Sequence, residues 1–280
     1  VSSETSKPRP AAESQPLPEP LRNRRQLAAG STFCFDCDPK LACFTTCCSD
    51  VNIVLTPADV LALSRRRGLN TREFLDRHTL TPITKDLHLP VVMLKMDSGP
   101  GKRCPFVSDQ GCSVYQDRPW ACRMYPVGMA LPPARVGVQP SPVHFLFEDD
   151  FCHGRTGERT WTVEQWERDQ GLPEREPLEE GFRQLVGHPW FIGGRQLDPK
   201  RIELFFMAAY DLDTFREFVF GSSFLTRFEL APEEIDALRT DDQVLLRFAF
   251  RWLRFALFGE PTVKRRPGPT PGAQAAEARP

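Results

Sequence analysis

The chain has 280 residues, of which 40% are hydrophobic and 26% charged, a balance that supports a folded apolar interior and excludes a wholly disordered protein. Lys and Arg number 36 against 37 Asp and Glu, and the resulting net charge of -1 removes the usual electrostatic footprint of a nucleic-acid binder. Residues 1–20 lack the apolar stretch of a secretory signal, and no segment has the length of uninterrupted apolar residues a membrane helix needs. A cytoplasmic protein with neither membrane nor nucleic acid as partner is therefore expected.

In chain order, residues 1–30 are rich in Pro, Ser, Glu and Arg and predict a disordered tail. Residues 31–158 carry all the cysteines. Within them, Thr56 and Pro57 ahead of an apolar face of Val60, Leu61 and Leu63 predict a short helix that stops at Gly68. Thr71 is expected to cap a second short helix. Residues 87–96, 106–107, 113–115 and parts of 127–147 have strand composition, and the prolines among them predict short strands. Residues 159–260 predict a helical region. A Thr162–Gln165 capping box opens it, residues 201–220 show three- and four-residue apolar spacing, and residues 232–258 repeat that signal with Arg247, Arg251 and Arg254 interspersed. Those arginines fit a core-packing helix whose charges reach out to water. Residues 261–280 predict a second disordered tail.

The chain has nine cysteines, an odd number that a closed disulfide framework does not explain. Cys34, Cys37, Cys43, Cys47 and Cys48 crowd one stretch broken by Pro39, which predicts a chain of tight turns. Cys104, Cys112 and Cys122 follow beside Pro105, Gly111, Pro119 and Pro126, residues that fix tight backbone geometry and leave amides free to face sulfur. Cys152 closes the series. Soft anionic sulfur binds zinc and iron strongly, and turns let several side chains converge. Cys47 and Cys48 are adjacent, so their side chains diverge; either each serves a different metal, or one ligates while the other packs behind.

The cysteine run ending in Cys47-Cys48, the LTPADVLAL helix, the CPF at Cys104, the GCSVY at Cys112, the RPWACRMYP at Cys122 and the downstream Cys152 together resemble the YkgJ-type cysteine-cluster family. That family is described as a zinc- or iron-chelating domain and takes its name from a CxxCxxCC signature. The resemblance covers residues 33–154. It implies metal ligation by Cys37, Cys43, Cys47, Cys48, Cys104, Cys112, Cys122 and Cys152, with zinc or an iron–sulfur cluster as cofactor, and leaves Cys34 as the odd thiol. This chain departs from the compact signature: five and then three residues separate Cys37, Cys43 and Cys47. The flagellin lysine N-methylases are similar in carrying a related cysteine cluster, which implies methyl transfer as an alternative activity.

Arg118 and Arg123 flank Cys122 and are expected to offset thiolate charge or hold a bound anion at a cofactor, the other reading being a salt bridge to Asp117 or another carboxylate. His153 is a candidate nitrogen ligand, while His78, His88, His144 and His188 sit in no ligand spacing. Glu148, Asp149 and Asp150 are expected to form a solvated turn. The expected fold is α+β, an irregular cysteine-rich region of short strands and helices packed on a C-terminal helical bundle. The expected function is metal binding. The alternatives are a methylase-like enzyme and a zinc-stapled interaction module whose helical half binds a protein partner.

Overall fold

The computed structural model describes residues 23–82, 88–131, 141–192 and 194–266. The fold is α+β, with strands of two to four residues and most of the helix in the C-terminal half. Prolines and glycines spaced along the first half keep each ladder short. Gln26–Leu27 pairs antiparallel with Val143–Leu146, which also pairs with Val127–Ala130. Val92–Leu94 is the centre of a second sheet, between Val54–Leu55 and Thr79–Leu80. Val107–Ser108 and Gly111–Cys112 form a hairpin, and Thr32–Cys34 pairs with Thr160–Thr162. Much of the tail expected over 1–30 lies outside the described residues, but Gln26–Leu27 is a strand and Leu27 is buried. The same holds for the end of the chain, where Lys264–Arg265 pairs with Phe228–Glu229 and residues beyond 266 are not described.

Residues 113–115 do not extend a strand. The Ser113 amide and hydroxyl both donate to the Phe106 carbonyl, at 2.8 and 2.9 Å, and a 3-10 turn, Tyr115–Asp117, follows. Part of the strand expected over 87–96 and of that over 127–147 lies outside the described residues.

Local capping signals produced the helices they promise. Thr56 and Asp59 form a reciprocal capping box on Pro57–Arg66, and Thr162 with Gln165 does the same for Val163–Asp169. Gly68, at φ 66, lets the chain turn away after the first of these. The helix Thr71–His78 is capped one residue earlier than expected. The Asn70 side chain accepts from the Glu73 amide, and the Thr71 hydroxyl is taken by Asp213. The apolar stripe over 201–220 is two helices, Pro199–Ala209 and Leu212–Gly221, because Asp211 caps the second by accepting from the Thr214 amide. Asp241 likewise parts Pro232–Thr240 from Asp242–Phe258 by accepting from the amides of Gln243 and Val244. Glu176–Val186 is a further helix that the apolar spacing left unpredicted.

Two apolar clusters organise the molecule. The larger joins Leu55, Leu63, Phe74 and Val92 from the first half to Phe205, Phe215, Leu246 and Leu253 from the second, with Cys104 and Cys112 packed against it. The smaller gathers Phe33, Phe35, Met124, Trp161 and Trp166 around Cys152. The cysteine loops therefore rest on both. Among the described residues no helix is long and apolar enough to cross a membrane.

Candidate metal centre

Residues 36–48 descend through consecutive turns, with amide-to-carbonyl bonds from Leu41 to Asp38, Phe44 to Leu41 and Thr46 to Cys43 at 2.9–3.0 Å. Thr45 takes a left-handed φ of 67, which turns the chain into the short 3-10 segment Thr46–Cys48. From there the backbone docks on the next cysteine stretch. The Cys104 amide donates to the Cys48 carbonyl at 2.8 Å, and Ser49 bridges to Arg103. The hairpin sets Cys112 opposite Val107, and the helix Trp120–Met124 carries Cys122. The last stretch returns to the first, where the Asp36 amide donates to the Gly154 carbonyl at 2.9 Å. A Cβ at Gly157 would lie 2.5 Å from the Asp36 Cβ, so only glycine permits this approach.

Four distant stretches thus bring eight sulfurs into one electrostatic neighbourhood, and no disulfide joins them. Burial pushes the Cys37 thiol up to about 11, and negative charge on Cys47, Cys43 and Cys152 adds to the rise. A hydrogen bond from the Cys48 thiol pulls Cys47 down to about 7, against the opposing effect of burial. As donor in that bond Cys48 rises well above its ordinary range, with burial and then Cys47, Cys104 and Cys122 adding to the shift. Cys122 is also driven up, by burial and then by Asp59, Cys104, Cys112 and Cys47. Cys104 rises through burial, against amide hydrogen bonds from Phe106 and Val107 that favour its thiolate. In Cys112, raised by burial, the Val114 amide and the Arg118 charge act in the same favourable direction. Of the free amides expected near the glycines and prolines, those beside Cys104 and Cys112 face sulfur, and elsewhere the His153 amide donates to Cys43 Sγ at 3.2 Å.

Cys34 lies apart from the eight. It sits in the strand pair with Thr160–Thr162, its sulfur 3.7 Å from the Thr160 hydroxyl. His153 is exposed and reaches the cluster through its backbone amide. Arg118 and Arg123 are buried, each 8% exposed, and their forks grip the chain. Arg118 donates to the Tyr115 carbonyl at 2.6 Å and to the Gln170 side chain, and lies 3.8 Å above the Tyr115 ring. Arg123 binds the carbonyls of Arg118 at 3.1 Å, Gln170 at 2.7 Å and Gln116. Asp117 pairs with Arg66 at 3.6 Å instead.

The sequence pattern missed the groups that support the cluster from below. Trp161 Nε1 donates to the Phe35 carbonyl at 2.8 Å, and Trp166 Nε1 to the Met124 carbonyl at 2.9 Å. Phe35 packs edge-on against Tyr125 and Trp166, with ring centroids 6.0 and 5.4 Å apart. Tyr125, two residues beyond Arg123 in the same motif, donates to Asp149 at 3.3 Å. Burial and then hydrogen bonding with Cys152 raise its hydroxyl above the ordinary range. Their signal was the aromatic content of residues 33–35 and 161–166, which reads as core until the fold places it under the loops.

Among the described residues, no group of three or more His, Cys, Asp or Glu side chains is already drawn together to hold a metal ion. The donor chemistry nonetheless fits a soft cation. The thiols are unoxidised neighbours, and the proximity that makes each thiolate costly to its neighbours is relieved by a bound positive charge.

Fold and donor set together give a cysteine-rich domain on an α+β scaffold. A family model, CxxCxxCC, described as "Putative zinc- or iron-chelating domain", matches residues 36–152. No curated protein and no solved structure matches the chain.

Proposed function

We propose that the protein binds zinc or an iron–sulfur cluster through Cys37, Cys43, Cys47, Cys48, Cys104, Cys112, Cys122 and Cys152, arranged as two four-thiolate sets. The observation that carries this reading is the pattern of mutual influence among the sulfurs. Cys37 is raised by Cys43, Cys47 and Cys152, and these form the outer set. Cys48 is raised by Cys47, Cys104 and Cys122, and Cys122 by Cys104, Cys112 and Cys47; we assign Cys48, Cys104, Cys112 and Cys122 to the inner set, with Cys47 at the boundary between the two. Cys47 and Cys48, adjacent in sequence, then serve different sets that meet at the hydrogen bond between the two sulfurs. Four thiolates complete a structural zinc site or hold an iron–sulfur cluster. All eight lie within the family match, and Cys34 lies outside it. Arg118 and Arg123 act as supports that hold the Cys122 segment, with Arg118 also favouring the Cys112 thiolate.

The outer set is more open. Cys37 and Cys47 are exposed, while no member of the inner set is. A bound metal would neutralise the thiolate charge and tie residues 31–158 together beside the helical region 159–260. Metal and labile-sulfide analysis of protein purified without oxygen, with its absorption spectrum, separates zinc from iron–sulfur. Protein with neither bound metal nor affinity for it ends the proposal. Iron with sulfide directs attention to redox or methyl-transfer chemistry, which an S-adenosylmethionine titration tests. Zinc directs it to the stapled interaction module.

A further inference from the structure

The helix Trp120–Met124 starts at Pro119, which has no side-chain acceptor for the amides of its first turn. Asp59 supplies one from 61 residues away, its Oδ1 accepting the Trp120 amide at 2.8 Å. Its own helix does not need that contact. Asp59 Oδ2 already accepts the Thr56 amide at 3.0 Å and completes the capping box there.

A capping-box carboxylate ordinarily stands in water, yet Asp59 is 0% exposed. Burial of a carboxylate costs several kcal/mol unless charge and donors surround it. Arg175, directly ahead of the helix Glu176–Val186, donates to the same Oδ1. Glu179 lies 3.6 Å from that guanidinium and accepts from the Thr56 hydroxyl at 3.1 Å. Two carboxylates and one guanidinium therefore join the starts of three helices, one of which carries Cys122.

A five-residue helix cannot hold itself together, so its anchors decide where Cys122 points. Trp166 fixes its end at the Met124 carbonyl, and Asp59 fixes its beginning. We propose that Asp59 is a positioning residue for the Cys122 sulfur, and that Arg175 holds Asp59 in place from the helical half. The inference rests on the reading of Cys122 as a ligand. It adds that the metal centre and the helical half share one buried ionic joint, which sets ligand direction more than it adds stability.

Cobalt(II) titration of the full chain, followed by thiolate charge-transfer absorption, tests this in wild type, Asp59→Ala, Cys122→Ser and the double variant. Asp59→Ala should weaken cobalt binding about tenfold or more, the usual scale for groups that orient ligands. Cys122→Ser should weaken it too, and the double variant should lose nothing further, because Asp59 acts through that sulfur. Additive losses would overturn the positioning role and leave Cys122 a ligand. Unchanged affinity in Cys122→Ser would overturn the ligand assignment and the role built on it. If Asp59→Ala does not fold, Arg175→Met in the metal-free protein serves instead. Its Cys122 should alkylate several-fold faster than in wild type with the Cys152 rate unchanged, and an unaltered Cys122 rate would overturn the proposal.

Discussion

Cys43 Sγ accepts a hydrogen bond from the His153 amide at 3.2 Å, across 110 residues of sequence. The bond joins the first cysteine stretch to the last, so the placement of this sulfur and loop docking depend on one contact. The same two stretches meet at Asp36 and Gly154.

That docking depends on Gly157, where a Cβ would lie 2.5 Å from the Asp36 Cβ and 3.1 Å from the Asp36 amide nitrogen. Gly157→Ala should force the loops apart at a cost of about 1–3 kcal/mol. The drop is read by urea denaturation, and metal content per chain should fall with it. Unchanged values in both would show that the approach is not required.

The odd thiol separates from the rest by substitution. Cys34, bonded near Thr160 in a strand pair, should tolerate Cys34→Ser with metal content unchanged, whereas Cys37→Ser should lower it. Elemental analysis of the two purified variants decides between them, and the reverse outcome would exchange their assignments.

Arg123 spends its guanidinium on three carbonyls around the Cys122 helix. Arg123→Ala should leave those acceptors buried and unpaired at a cost of about 3 kcal/mol or more. Lysine, with one point of charge, cannot span them, so Arg123→Lys should recover less than half of that loss in a thermal or urea melt.

Sequence disclosed this molecule wherever the signal was local. Thr56 with Asp59 and Thr162 with Gln165 lie three residues apart, so their capping boxes could be read directly. The turn-rich character of the cysteine run followed from Pro39 and its polar surroundings. Asp211 and Asp241 broke apolar stripes because a single side chain accepting an amide outweighed the periodicity on either side. The burial of Asp59 was invisible, since its local role as a cap is complete without Trp120 or Arg175. The aromatic floor of Phe35, Tyr125 and Trp166 assembles only when segments far apart in the chain meet. Within the candidate site, cysteine identity and neighbouring glycines and prolines were legible, but the grouping of sulfurs depends on tertiary contacts.

Acid should loosen the junction between the helices Pro57–Arg66, Thr71–His78 and Leu212–Gly221. Burial alone would raise the Asp213 carboxyl, but hydrogen bonds from Arg65 and Thr71 outweigh it and hold the group below the ordinary 3.8. The Thr71 amide donates at 2.7 Å and the Arg65 guanidinium at 3.0 Å. The unfolded chain therefore takes up this proton at higher pH than the folded one. The contribution is present above the unfolded value and disappears as pH falls through the folded one. Asp213→Asn should cost about 1–2 kcal/mol near neutrality, with the difference shrinking towards zero as pH falls through the folded-state value. Urea melts across that range measure it, and a difference independent of pH would contradict the assignment.

The central claim is most directly tested by counting protected thiols and bound metal in the same preparation. Protein purified without oxygen is alkylated before and after removal of metal by a chelator, and each cysteine is scored by peptide mass. Eight cysteines protected until chelation, Cys34 modified throughout, and zinc or iron bound in proportion is the predicted result. Equal modification of all nine from the start, with no metal recovered, would contradict it.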